Sequence, residues 1–140
     1  METPDTPTNS PKESPIKQRR HWTAKFSDSF RGIRFALQEQ SFCVHLFVAL
    51  VVVGIGAMVR PSAVEWMLLV GVIGLVLVTE IVNSALERLS RAITVEQDPL
   101  IGQALDLASA AVLTASTLAV IVGVTILGPD CFRWLLSLSS

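Results

Sequence analysis

After Glu39 the chain is dominated by three long apolar runs, separated by short polar breaks. Residues 40–59 contain no charge. Residues 66–79 are uncharged and continue at helical spacing through Glu80 to about Arg91, and residues 107–129 are free of charge until Asp130. Each run supplies the ~20 residues that cross ~30 Å of hydrocarbon as a helix. Proline punctuates the breaks: Pro61 lies in "RPSAVE", Pro99 before the third run and Pro129 after it. The pattern predicts spans at about 41–60, 64–91 and 101–127. Ahead of them Trp22, Phe26, Phe30, Ile33 and Leu37 recur at intervals of four, four, three and four, one apolar stripe on a helix over 21–38. With a span starting a few residues later, this helix is expected to lie in the membrane interface rather than pack on a soluble partner. The expected fold is an all-α membrane protein, three transmembrane helices preceded by an amphipathic surface helix.

Composition excludes a soluble domain. Of 140 residues, 51% are hydrophobic and 16% charged, and the mean hydropathy is +0.55, too apolar for a small domain that must cover its surface with polar groups. Residues 1–20 carry Pro4, Pro7, Pro11 and Pro15 and no apolar core segment, so they read as a disordered cytoplasmic tail and not as a signal peptide. Residues 39–128 form the membrane domain and 129–140 a short external tail. The net charge is only −1, but seven of the 11 basic residues precede the first apolar run. An internal N-terminus also places Arg88 and Arg91 inside and leaves Arg60 and Arg133 outside, with the C-terminus external. Cys43 and Cys131 read as packing residues. Ala111, Ala115, Ala119 and Gly123, four apart, are expected to let the third span approach another helix closely.

Where the second apolar run ends, the chain reads "TEIVNSALERLSR". At about 100° per residue, Glu80, Asn83 and Glu87 fall within roughly a 60° sector. An ionisable group inside a span costs roughly 2.5–3.5 kcal/mol on insertion scales and therefore usually faces protein or water at a site. Glu39, at the end of the surface helix, and Asp106, near the start of the third span, approach the same boundary. Carboxylates gathered this way repel unless a cation or a shared proton relieves them. Mg²⁺ held by carboxylates and substrate phosphates is one solution; a proton relay is another. A relay needs polar groups across the whole membrane, and the far halves of all three runs are apolar. There is no glycine-rich phosphate loop and no protein-kinase catalytic loop, so any nucleotide site must be built from membrane helices.

"EIVNSALE" resembles the E-x-x-N-[ST]-A-[IL]-E signature of the bacterial integral-membrane diacylglycerol kinases and their undecaprenol kinase relatives. "GIRFALQEQSFCVHL" is similar to the family's surface helix with its following glutamate, phenylalanine and histidine, and "ALDLASAAVL" to its third-span aspartate and small-residue run. The likeness covers about residues 31–128. It implies an ATP- and Mg²⁺-dependent kinase of a membrane lipid in the bacterial inner membrane. The product expected is phosphatidic acid from diacylglycerol, with undecaprenol as the alternative acceptor. It also implies a homotrimer with shared active sites, and no nucleic-acid partner is expected.

Carried over by residue, Glu80 matches the catalytic base and Glu39 and Glu87 the metal pair. Asn83, Asp106, Arg34 and Arg88 are candidate nucleotide contacts. The chain departs from the family at Arg91, where an aspartate is common, at Leu105, where a lysine is common, and by one residue fewer between Gly32 and Glu39. Arg88 or Arg91 could replace the lysine's charge. His45 reads either as a nucleotide or headgroup contact or as an interfacial residue. The competing classes are a relative that keeps the scaffold without turnover and a non-catalytic membrane protein or small ion or proton conduit.

Overall fold

A computed structural model of the protein describes residues 22–93 and 98–138, with the side chains of 22–24 and 135–138 excepted. The tail expected over 1–20 and the side chain of Trp22 lie outside the described residues. Four helices follow in order: α1 Trp22–Ala36, α2 Gln40–Val59, α3 Ala63–Ile93 and α4 Pro99–Leu138. The last three are long and apolar enough to cross a membrane, so the fold is the three-span bundle with a preceding surface helix.

α1 carries Phe26, Phe30 and Ile33 exposed along one side. It turns into α2 through Leu37, Gln38 and Glu39, held by the amides of Gln38 and Glu39 donating to the carbonyls of Phe35 and Ala36. α2 then runs to Arg60, whose left-handed backbone (φ 59, ψ 59) ends the helix with its N–H on the Gly56 carbonyl. α3 starts with a reciprocal cap. The Ser62 amide donates to Glu65 Oε2 at 2.7 Å and the Glu65 amide to Ser62 Oγ at 3.4 Å, so two otherwise orphaned N–H groups are satisfied. α4 starts on Asp98, whose Oδ1 accepts from the Leu100 and Ile101 amides, with Pro99 in the first helical position.

The tight Arg60–Ser62 connection makes α2 and α3 an antiparallel hairpin. Gly56 sits against Trp66: a Cβ at position 56 would lie 2.8 Å from the indole Cη2. Fifteen residues back along α2 is Ser41 and fourteen forward along α3 is Glu80, so equal rises per residue bring Ser41 and Glu80 to one level. α2, with 20 residues, spans about 30 Å at 1.5 Å per residue. α3, with 31 residues, spans about 46 Å and runs past the start of α2 by several turns.

α3 and α4 form the most extensive interface. Ala108, Val112 and Ala115 are buried while Ala111 is exposed, so the small-residue face begins one register away from the ladder read in the sequence. A strict spacing of four turns about 40° per step and winds off a straight contact, whereas 108, 112, 115 and 119 alternate four and three and stay on it. α4 also runs on through Pro129 to Leu138, where the sequence marked a stop. The ring removes one backbone bond, a cost tolerated in membrane helices where neighbouring groups re-satisfy the backbone. Asp130 and Arg133 pair on the following turn. Phe47, Leu50, Met67 and Leu113 are each more than 60% exposed, which would drive aggregation in water and suits contact with lipid or other helices.

The hairpin depends on Gly56. Gly56→Ala is expected to displace the Trp66 indole, lower the melting temperature in detergent by the equivalent of about 1–3 kcal/mol and shift tryptophan fluorescence. Gly54→Ala, where a Cβ would meet nothing within 4 Å, is expected to be neutral or to stabilise by up to about 1 kcal/mol.

Candidate active site

Glu80 is the most buried acidic group described, at 2% relative exposure within a helix that crosses the membrane. Two side chains of α2 answer it. Ser41 Oγ donates to Glu80 Oε1, and His45 Nε2 lies 3.8 Å from Oε2. Ser41 and His45 are four residues apart, hence one above the other on the α2 face turned to α3. The hairpin register thus supplies the partners that burial of a carboxylate requires.

One turn further along α3, Asn83 is also buried, at 8% exposure. Its Nδ2 donates to Glu87 Oε1 at 2.9 Å. Its Oδ1 is buried with no hydrogen-bond partner among the described residues, an uncommon state for a buried carbonyl. Glu87 Oε2 lies 3.3 Å from Arg91 Nη2, and Arg91 Nε donates to the Glu87 carbonyl. Arg91 therefore neutralises part of the charge on the residue four positions before it, an ordinary helical pairing.

Glu39 occupies the cap position of α2, but its side chain makes no capping bond. The carboxylate turns to Arg88 instead: Nε donates to Oε1 at 2.8 Å and Nη2 lies 2.6 Å from the same oxygen. Nη2 also donates to the Phe35 carbonyl at 3.2 Å, and the guanidinium carbon sits 5.4 Å over the Phe35 ring. The pairing joins the start of α2 to α3 through a charge-assisted bond.

Glu39, Glu87 and His45 are all within electrostatic reach of Glu80. The structure therefore brings together Glu39, Glu80, Asn83 and Glu87, with Arg88 bound to Glu39. It does not bring in Asp106, which is exposed and makes no hydrogen bond or ion pair among the described residues. Asp106 is two residues from the buried Ala108, about 200° around α4, and so faces away from the contact with α3. Arg34 is exposed at the end of α1, likewise without such a partner.

Sequence reasoning missed Ser41. The available signal was a polar pair, Ser41 and His45, at helical spacing on an otherwise apolar helix. It also left open which cation would meet which carboxylate.

Beside His45 opens an apolar groove of about 550 Å³ between α2, α3 and α4, running past Val48, Val52, Val76, Ala119 and Val124 to Leu127 and Cys131. Thr114, Thr117 and Thr125 bond back to their own helix. Ser116, on the groove wall, does not: its hydroxyl is buried with no partner among the described residues. Among the described residues no three His, Cys, Asp or Glu side chains form a ready-made metal cage.

A buried carboxylate whose histidine neighbour lines an apolar groove, with further acids along the same helix face, is a geometry for chemistry on an amphiphile. Comparison with known proteins agrees. The family model of prokaryotic diacylglycerol kinase matches residues 27–127. An undecaprenol kinase of Bacillus subtilis (strain 168) is 33% identical over 118 residues, covering 81% of this chain and 96% of that protein. A diacylglycerol kinase of Escherichia coli (strain K12) is 37% identical over 94 residues, covering 66% of this chain and 77% of that protein. A diacylglycerol kinase of Shigella flexneri matches to the same extent. The chain belongs to the prokaryotic diacylglycerol kinase family and is a membrane-embedded lipid kinase.

Proposed function

We propose that the protein transfers the γ-phosphate of ATP to the hydroxyl of diacylglycerol, giving phosphatidic acid and ADP, with Glu80 as general base. The observation that carries this reading is the position of the Glu80 carboxylate. It is buried against His45, which lines one end of an apolar groove, and lies two turns from Glu87 along α3. An acyl chain of the acceptor in the groove brings its hydroxyl to the level of Glu80. The base takes the hydroxyl proton as the oxygen attacks the γ-phosphorus and the bond to the β-phosphate oxygen breaks. Ser41 and His45 hold Glu80 in place from the α2 side, oriented towards a base's task.

Mg²⁺ fits the residues present. Glu39 and Glu87 offer hard carboxylate oxygens and Asn83 an unpartnered amide oxygen, and Mg²⁺ normally needs only one or two carboxylates when phosphates complete its shell. When bound it neutralises charge on the phosphates, which together with positioning is most of phosphoryl-transfer catalysis. Arg34 supplies further positive charge on the phosphate side.

The active end lies at the cytoplasmic leaflet of a bacterial inner membrane, with the C-terminus outside. The uneven placement of basic residues supports this orientation. The protein works as a homotrimer. Asp106 supports that reading, because it is exposed and faces away from the acidic cluster of its own chain, where a residue of a shared site would be available to a neighbour.

Undecaprenol is the second acceptor to test, suggested by the Bacillus subtilis relative, which covers 81% of this chain. Purified protein in mixed micelles with ATP and Mg²⁺ is expected to label diacylglycerol in preference to undecaprenol. Glu80→Gln is expected to lower the rate roughly 10²–10⁴-fold, and absence of labelled lipid with either acceptor removes the kinase reading. If sites are shared, Asp106→Asn and Glu80→Gln subunits, each nearly inactive alone, are expected to recover part of the activity when mixed and reassembled. Failure to recover any assigns both residues to sites within single subunits.

A further inference from the structure

Arg88 ties the end of α1 to α3. α1 leaves Phe26, Phe30 and Ile33 exposed and does not pack extensively on any of the three spans. At its end, however, Arg88 of α3 reaches across 49 residues of sequence to Glu39 and 53 to Phe35. It bonds the carbonyl of Phe35, which also accepts from the Gln38 amide, in the last turn of α1, where the negative end of the helix dipole favours a cation, and it stacks on the ring of the same residue. The three residues Leu37, Gln38 and Glu39 that join α1 to α2 are thereby fixed to α3 at the level of the acidic cluster.

The form of the Arg88–Glu39 contact is informative. An arginine–carboxylate fork usually takes both carboxylate oxygens, one per N–H. Here Nε donates to Oε1 at 2.8 Å and Nη2 approaches the same oxygen at 2.6 Å, while Oε2 accepts no hydrogen bond among the described residues. Glu39 has also forgone the capping bond that its position in α2 would permit. Its carboxylate is thus held by one oxygen and presents the other.

We infer that Arg88 is a positioning residue: by gripping Oε1 of Glu39 and the end of α1, it presents Oε2 of Glu39 to the metal of a metal–nucleotide complex. This rests on the kinase reading above, in which Glu39 is a metal ligand. It assigns Arg88 a role through Glu39, distinct from direct contact with phosphate. Partners that orient a metal ligand typically contribute 10–100-fold to metal affinity. Lysine is a poor substitute, because a point charge on a flexible stem cannot hold the oxygen, the carbonyl and the ring together.

The test measures binding of a non-hydrolysable ATP analogue to the full-length protein, with Mg²⁺ and with the metal removed by chelator. Lipid phosphorylation by the unmutated protein is measured in parallel. Arg88→Ala is expected to weaken binding of the Mg²⁺ complex roughly 10–100-fold and to leave binding of the metal-free nucleotide unchanged. Arg88→Lys, which keeps the charge and guards against misfolding, is expected to show the same selective loss to a smaller extent. Because Arg88 acts through Glu39, adding Arg88→Ala to Glu39→Gln is expected to cause no further loss. Equal weakening with and without metal makes Arg88 a phosphate contact and overturns the inference, as does unchanged binding in both conditions. Active unmutated protein with either result leaves the kinase reading standing. Unmutated protein that neither binds the analogue nor labels lipid overturns both.

Discussion

A carboxylate inside a lipid-crossing helix has to be answered by polar atoms of the protein, since hydrocarbon offers none. Glu80 is answered from α2 by Ser41 and His45, and this fixes more than one side chain. It sets the rotation of α2 about its axis, because the face bearing Ser41 and His45 must turn to α3. It also sets the register of the hairpin, because Glu80 can meet Ser41 only when the chain reverses within Arg60–Ser62. Gly56 and Trp66 fix the same register from the other end. The hairpin is pinned at both ends, by an indole against a glycine and by a hydroxyl on an acid.

The lengths of the helices then sort the acids by depth. α2 crosses the hydrocarbon with little to spare, while α3 has about ten residues more than it needs. Those residues carry Glu87, Arg88 and Arg91 beyond the level at which α2 begins. Glu39, at the start of α2, is therefore met by Arg88 and not by anything deeper. The result is a gradient along α3: a buried acid met by Ser41 and His45, then an asparagine with one satisfied and one unsatisfied atom, then an acid and arginines in ion pairs. Phosphate chemistry on a lipid needs such an order, because acceptor and nucleotide approach from media of opposite polarity.

α4 contributes the third wall of the groove and little of the polar chemistry. Its alanines let it lie close to α3, and its outward face, with Asp106, is left to whatever packs there. The continuation through Pro129 adds two more turns, with an ion pair between Asp130 and Arg133.

Much of this was legible in the sequence, for a local reason. Span length depends on runs of apolar residues, and the common face of Glu80, Asn83 and Glu87 depends only on the helical period, so both can be read one segment at a time. The stripe on α1 and the family signature are likewise contiguous patterns. What the sequence left open was every relation between helices: that Ser41 is the partner of Glu80, that Arg88 belongs to Glu39 and Arg91 to Glu87, that Asp106 faces away from the acidic cluster, and that the small-residue contact of α4 begins at Ala108. These depend on how far each helix is rotated and slid against its neighbour. Rotation and offset come from packing between residues tens of positions apart, and no periodicity within a single helix encodes them.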